Sequence, residues 1–478
     1  MIADLKPYPE YQETESRWLG HVPSNWSQRK LLTLSTLRVE RNPGNLQLLS
    51  VFLNRGVIPY NEGGGQVHAP SLDLSKYQVV YPGDFVLNNQ QAWRGSVGVS
   101  RYHGIISPAY IVLRLSSTLN SEYTNYLMQS AVMVDQFVTA SKGVGDIQRT
   151  IYWPYLKTAQ IPLPPPDEQA GIVRFLNHTN QRIERTIRAK RKIIALLNEQ
   201  KQVIIHRAVT RGLDPKVRLK PSGIPWLGEI PEGWELIPLK GACDVQSGIT
   251  LGKYYGNLRL REYPYLRVAN VQSGHLSLRV VKKLRLPSNE ARRSLLAIGD
   301  VLMTEGGDPD KLGRGCVWDG QIENCVHQNH VFAVRPNIVR LQPYYLSALL
   351  GSNYAKTYFL LTAKQTTNLA STNKTTIGRF RVPLPPIEEQ QKILDGLEVL
   401  TSPISLAIDR TEREIDLLRE YRTRLIADVV TGKLDVREAA ALVPDEIDGT
   451  DDTDFVITDD IDNPFFEEGD GDGITSTE

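Results

Sequence analysis

Ile183, Ile187, Lys190, Ile194, Leu197, Lys201, Ile204 and Ala208 fall at alternating steps of four and three residues. Adding 221 to each number gives Ile404, Ile408, Thr411, Ile415, Leu418, Arg422, Leu425 and Val429. A mean step of 3.5 is the signature of a heptad seam, so the pattern predicts two long helices that pair with each other inside one chain. At 1.5 Å per residue, a seam of about 30 residues is about 45 Å long. Lys201 and Arg422 occupy seam positions where an apolar residue packs better, and seam polarity of this kind fixes register at a cost in stability.

The rest of the pattern is shorter in period. Lys76–Tyr81, Phe85–Leu87 and Tyr110–Leu115 are β-rich runs punctuated by Pro82-Gly83-Asp84. Tyr123 to Val138 carries helical spacing at Tyr126, Leu127, Val134 and Phe137. Further along, Ala297–Leu302 parallels Tyr81–Val86, Val331–Val334 parallels Ile111–Leu113, and Tyr344 to Leu361 is the matching helix. Each stretch therefore predicts a mixed α/β globule. Pro162–Pro166 and Pro383–Pro386 cannot be helical and end the globules. Asp167-Glu168-Gln169 and Glu388-Glu389-Gln390 then place carboxylates at helix N-termini, where the dipole favours them.

These correspondences amount to a duplication. Trp226-Leu227-Gly228 to Trp234 repeats Trp18-Leu19-Gly20 to Trp26 at an offset of 208. Pro383–Gln390 repeats Pro162–Gln169, and Val430–Asp435 echoes Val209–Asp214, both at 221. Each copy is long enough to bury its own core, unlike a solenoid repeat. Two like units on one chain suit a partner that presents two sites, such as a long polymer.

Composition narrows the class. No apolar run approaches the about 20 residues that span a bilayer, and the N-terminus lacks a signal-peptide stretch. Cys243, Cys316 and Cys325 form no CxxC pair, as expected of a reducing compartment. The net charge of +1 conceals an asymmetry. Residues 445–478 hold 14 acidic and no basic residues, which leaves 55 basic against 40 acidic in positions 1–444. A basic body fits a phosphate-backbone binder. The tail predicts no packed core. It reads either as a solubilising extension or as an anionic segment competing for the basic face.

Taken together, the WLGxxPxxW openings, the PLPPxxEQ gates, the paired helices and the two variable globules resemble the DNA sequence-specificity subunit of type I restriction–modification enzymes. The resemblance covers about residues 11–435. It implies an α+β fold: two mixed α/β target-recognition domains in pseudo-twofold tandem, separated by two long helices that form an antiparallel coiled coil. The implied segments are 1–160 (first recognition domain), 161–212 (first spacer helix), 213–382 (second domain), 383–433 (second helix) and 434–478 (acidic, disordered tail). It also implies a non-catalytic cytoplasmic subunit that reads split double-stranded DNA, with no membrane role. Its partners would be two methyltransferase and two restriction subunits. S-adenosylmethionine, ATP and magnesium would bind to those partners and no cofactor or metal to this chain.

Base edges call for Arg or Lys at guanine and Asn or Gln at adenine. In the first globule the candidates are Asn88, Asn89, Gln90, Trp93 and Arg94, then Ser141, Lys142 and Arg149 in a glycine-rich segment. In the second they are Arg267 and Asn270, Lys311 and Arg314, Gln328 and Asn329, Lys364, Gln365 and Thr367, and Asn373 and Lys374. Arg267–Gln272 alternates as a strand would, turning Arg267 and Asn270 to different faces. His327 and His330 lack a third metal ligand nearby and read as ordering a strand–turn core. The alternative enzyme reading, a methyltransferase or nuclease, lacks support: Asp462-Asn463-Pro464-Phe465 has one proline where the methyltransferase motif has two, no GxxxxGK[ST] loop exists, and Asp300 matches the turn residue Asp84. A protein scaffold with no DNA role is the third reading.

Overall fold

The computed structural model describes the chain except residues 1–4, 15, 17, 54, 64–69, 145–147, 273, 308–311, 314, 366–369 and 445–478. It divides into two compact units, Met1–Arg188 with Ile415–Glu478 (unit 1) and Ala189–Glu414 (unit 2).

The same sheet is built twice. In unit 1, β1 (Ser35–Leu37), β2 (Asp84–Asn88), β3 (Val97–Val99) and β4 (Tyr110–Leu115) form an antiparallel sheet in the order β1-β4-β2-β3. In unit 2, β5 (Cys243–Ser247), β6 (Val301–Thr304), β7 (Gly315–Val317) and β8 (Val331–Pro336) repeat it as β5-β8-β6-β7. Side chains alternate across a strand, so each sheet buries both faces. Phe85 and Leu87 of β2 join Tyr123, Leu127 and Phe137 in one core, while Val86 joins Leu49, Val51 and Val57 in another. Val301 and Met303 of β6 pack with Tyr345, Leu346 and Phe359, and Leu302 packs with Cys316 and Trp318.

The shared Gly-Asp turn is locked in both units. Asp84 accepts the Tyr81 amide at 2.9 Å and the Arg38 guanidinium at 2.6 and 2.9 Å. Asp300 accepts the Ala297 amide at 2.8 Å and Arg335 at 2.7 Å on each oxygen. Both carboxylates are buried, and a forked arginine compensates their desolvation. The arginine follows β1 in unit 1 and lies within β8 in unit 2. The geometry is thus kept while the donor strand changes.

The single helix expected over Tyr123–Val138 is two, Ser121–Gln129 and Ala131–Thr139. Ser130 adopts extended backbone between them and its hydroxyl accepts the Met133 amide. Its counterpart Ser352 starts Asn353–Thr362 after Pro343–Leu350 by accepting the Ala355 amide. A serine inside an apolar helical pattern is a cap competing with helix continuation.

Two long helices follow the proline gates: α1 (Pro166–Arg211, 46 residues) and α2 (Ile387–Val430, 44 residues). Lys190 Nζ contacts Glu414 at 2.6 Å and Lys201 Nζ donates to Ser405 Oγ at 2.7 Å. The partner number falls as the first rises, so the pair is antiparallel. In unit 1, Arg422 pairs with Glu184. The charged seam residues Lys190, Lys201 and Arg422 thus meet polar partners on the facing helix, whereas Thr411 donates to the Ala407 carbonyl of its own helix at 2.7 Å. The seam positions are buried or half-buried along both helices.

The gate motif has a physical role residue by residue. Gln169 and Gln390 are buried. Gln169 accepts the Asn120 amide at 2.7 Å and donates to the carbonyls of Thr118 and Pro164. Gln390 accepts the Gln342 amide at 2.8 Å and donates to Arg340 and Pro385. The preceding glutamates take the indole N–H of the motif tryptophans, Trp26 to Glu168 at 2.8 Å and Trp234 to Glu389 at 3.0 Å. The opposite helix ends complete each core. Tyr123 donates to the carbonyls of Pro162 and Val430, and Tyr345 to those of Pro383 and Val209. Unit 1 therefore contains the start of α1 and the end of α2, and unit 2 the reverse. Gly432 and Gly212 cap these ends at φ +76° and +74°. A Cβ on Gly432 would lie 2.4 Å from Pro23, and one on Gly212 would lie 3.4 Å from Trp234.

Residues 434–441, expected as the start of the tail, are part of unit 1. Asp435 bridges to Lys6, residues Arg437–Ala441 form a helix, and Val436 and Ala440 are buried in unit 1. Arg437 ion-pairs with Asp435 at 2.6 Å and lies 5.0 Å over the Tyr8 ring. The 14 acidic residues themselves lie outside the described residues. Because Gln390 satisfies one buried amide and two buried carbonyls, Gln390→Ala should destabilise the protein by about 3 kcal/mol. Lys392→Ala, at an exposed position of the same helix, should leave thermal unfolding unchanged; equal melting curves for the two variants would refute the role given to the gate glutamine.

Candidate nucleic-acid interface

In unit 1 the two segments singled out from the sequence meet. Asn88 ends β2, and Ala92–Arg94 form a 3-10 turn after it. Ser141–Val144 and Gln148–Ile151 form a β-hairpin. The Ile151 amide donates to the Asn89 carbonyl at 2.9 Å, which joins hairpin to loop. Cations lie over aromatic rings at this junction. Arg94 is 4.5 Å and Arg149 6.0 Å from the Trp93 ring centroid. Lys142 Nζ lies 4.4 Å from the Tyr152 ring and 4.7 Å from the Tyr155 ring. Each such contact restrains a flexible cation at the ring face, and Arg149 also donates to Ser141 Oγ at 3.4 Å. Tyr152 and Tyr155 are 44% and 51% exposed, so the rings stand at the surface.

The remaining polar groups divide by use. The Trp93 indole donates to the Gln90 carbonyl at 2.9 Å, which fixes the turn. Asn88 accepts the Gln90 amide at 3.0 Å, and Ser141 donates to the Val138 carbonyl at 2.7 Å. These residues shape the loop. Gln90 is exposed, and the Asn89 side-chain oxygen is buried without a partner. Sequence reasoning missed Tyr152 and Tyr155; their spacing around Trp153-Pro154 was the available signal.

In unit 2 more segments converge. The backbone pairs Gly306 with Ser371 and Lys364 with Ser371, which joins the glycine-rich loop to the segment before the second gate. The Glu305 amide donates to the His330 carbonyl at 2.8 Å, and the Thr372 amide to the Glu305 carbonyl at 2.8 Å. The Gln328 amide donates to Leu266 at 2.9 Å and the Asn329 amide to Ile249 at 3.0 Å. Gln328 and Asn329 are half-buried there, and Lys364 and Lys374 are exposed. Arg267 is half-buried with its Nε lacking a partner. Lys311, Arg314, Thr367 and the Gln365 side chain lie outside the described residues.

Two candidates prove structural. The strand expected over Arg267–Gln272 is a 3-10 turn, Val268–Asn270. Asn270 is 3% exposed, accepts the Arg267 amide at 2.8 Å and donates to the carbonyls of Ser277 and Val280. Both amide hydrogens and one oxygen lone pair are satisfied within the fold, which gives this buried side chain a structural use. Asn373 caps the helix Lys374–Arg379 by accepting the Thr376 amide at 3.0 Å. His327 is fully buried and donates Nδ1–H to the Val331 carbonyl at 2.6 Å. Burial holds its pKa below the usual histidine range, so the ring is neutral. His330 instead pairs with Glu305. Among the described residues, no group of three or more His, Cys, Asp or Glu is placed to hold a metal. The three cysteines are buried and unpaired, with thiols pushed up to about 12 by burial. No described helix is long and apolar enough to cross a membrane.

Comparison with known proteins follows the same line. Residues 231–415 match the family model of the type I restriction modification DNA specificity domain. The MjaX specificity subunit of Methanocaldococcus jannaschii is 27% identical over 207 residues, which is 43% of this chain and 47% of that protein, so the match spans about half of that relative's length. The type I restriction enzyme MjaVIII specificity subunit of the same organism is 26% identical over 347 residues, 70% of this chain and 75% of that one. A solved chain from a study of complex assembly and conformational transition of the type I R-M system aligns at a TM-score of 0.60 and 18% identity. That alignment covers 86% of this chain and 99% of the other, and it supports the fold. With the duplicated gates, caps and sheets in place, the chain is similar in sequence to type I restriction enzyme specificity subunits and shares the fold of a chain from a type I R-M system.

Proposed function

We propose that the chain is the non-catalytic DNA-reading subunit of a type I restriction–modification enzyme, each unit contacting one half of a bipartite duplex target. The observation that carries this reading is the convergence of cations, amides and aromatic rings at Asn89–Arg94 and Lys142–Tyr155 in unit 1. Unit 2 supports it with the junction of Gln328, Asn329 and Lys364. Arginine and lysine held over aromatic rings suit phosphates and guanine edges, and exposed glutamine suits adenine. Two methyltransferase subunits and two restriction subunits are the partners of this reading. They carry S-adenosylmethionine, ATP and magnesium, and the assembly works in the cytoplasm with the DNA. The paired helices act as the ruler between half-sites.

Arg94→Ala or Lys142→Ala should weaken binding to one half-site by roughly tenfold or more and relax sequence preference there alone. Methylation mapping in a host carrying the complete system checks this; a change in both halves, or wild-type methylation without a bipartite motif, would defeat the reading. The purified chain alone, given S-adenosylmethionine, magnesium and ATP, should neither methylate nor cleave DNA, and intrinsic activity would return the enzyme reading. Position 194 of α1 faces the region of position 411 in α2, given the Lys190–Glu414 and Lys201–Ser405 pairs. Removing 194–200 together with 405–411 therefore shortens both helices by facing heptads. The methylated motif should keep both halves and lose spacer length; an unaltered spacer would reject the ruler.

A further inference from the structure

In unit 2 the chain between β5 and the strand Leu260–Leu266 forms an arm that the sequence reading did not single out. Its base is fused to the candidate readers. The Ile249 amide donates to the His327 carbonyl at 2.7 Å, and Ile249 receives the Asn329 amide in return. Gly248 lies so close that a Cβ there would sit 2.1 Å from the His327 carbonyl oxygen and 2.4 Å from that of Gln328. Whatever Gln328 and Asn329 contact, the arm starts beside it.

Its outer part is apolar, aromatic and basic at once. Tyr254 is 94% exposed, Leu251 54% and Leu258 57%. Lys253 and Arg259 flank them, both exposed, and Arg261 and Arg285 are exposed at the adjoining strands. Gly252 and Gly256 bracket the tyrosine at φ +85° and +55° and turn the chain on either side of it. The arm stands over a cavity of about 280 Å³ lined by Ile249, Leu260, Leu284 and Leu286. Lys253 anchors it to Glu290 at 2.5 Å. A tyrosine this exposed, among cations and beside amide-bearing readers, is built to meet a surface that is both anionic and flat. DNA offers phosphates and stacked bases together. A protein partner would need its own acidic, aromatic-binding face.

Among the described residues, unit 1 shows no counterpart after its equivalent strand. There the chain leaving β1 carries Arg38, bound to Asp84, and has no aromatic residue before Phe52.

We propose that the Gly252–Gly256 arm is a DNA probe in which Tyr254 stacks on a base or sugar of the half-site contacted by unit 2, adding a contact that the other half-site lacks. The inference rests on the DNA-reading function above. The residue is specificity-determining and takes no part in chemistry. The test uses the full chain bound to its methyltransferase partner and a duplex carrying the sequence found by methylation mapping, with 2-aminopurine placed in turn across each half-site. In the wild type, fluorescence should respond at a position in one half-site, and Tyr254→Ala should abolish that response and weaken binding on the order of tenfold. Tyr254→Phe should retain both, because stacking needs the ring and not the hydroxyl. Binding and fluorescence by Tyr254→Ala equal to wild type would overturn the arm's role while leaving the reading of DNA intact. A wild-type complex that binds the mapped and a scrambled duplex equally would overturn the DNA reading itself. A response in the half-site altered by Arg94→Ala would assign the arm to the wrong half and overturn the proposal.

Discussion

Both compact units are closed by the end of a long helix: unit 1 joins two separate stretches of chain, 1–188 and 415–478, and unit 2 is the single stretch 189–414. The core around Trp26 and Tyr123 needs Leu425, Val429 and Val430, which end the helix that begins after the second gate. The core around Trp234 and Tyr345 needs Ala208 and Val209, which end the helix that begins after the first. Tyrosine hydroxyls, glycine caps and motif tryptophans at these two junctions are the same groups in the same geometry. The repeated sequence signatures, WLGxxPxxW, PLPPxxEQ and VTxGLD or VTGKLD, are all parts of this one closure. Buried backbone groups must be satisfied, and the gate glutamines and tyrosines satisfy them where proline prevents regular pairing.

The closure does not draw on the loops that carry the candidate readers. The candidate readers lie at strand ends and hairpins attached to a sheet that is packed on both faces. Loops on a rigid scaffold can change their side chains without loss of the core. The two units already illustrate the freedom. Unit 1 presents caged cations, and unit 2 presents a tyrosine-tipped arm and a glutamine–asparagine turn. The Gly-Asp turn shows the converse constraint: its geometry is identical in kind, yet its arginine comes from different strands.

Much of this was legible in the chain because it was periodic or duplicated. The heptad register located both long helices, and the 221-residue offset matched gates and caps across the copies. The antiparallel pairing emerges in the ion pairs of Lys190 and Arg422. What escaped was set by single side chains. Ser130 and Ser352 split helices whose apolar spacing looks continuous, because a hydroxyl cap outcompetes propagation. Asn270 looked like a reader and is consumed by its own turn, and Asn373 is a cap. Residue type indicates what a group can bond, whereas burial and local partners decide what it does bond. Segment 434–441, expected to belong to the tail, carries Val436 and Ala440, which complete the first core.

The closure can be tested at one atom. In Gly432→Val, the side chain would enter the space of Pro23 and Trp26 and also oppose a positive φ. Amide hydrogen exchange of the full chain should then accelerate in Asp84–Asn88 and Tyr110–Leu115, more than 300 residues upstream, while Cys243–Ser247 and Val331–Pro336 keep wild-type protection. Faster exchange confined to the second pair of strands, or none in either, would contradict the account that unit 1 is sealed by the far end of the helix that begins after the second gate.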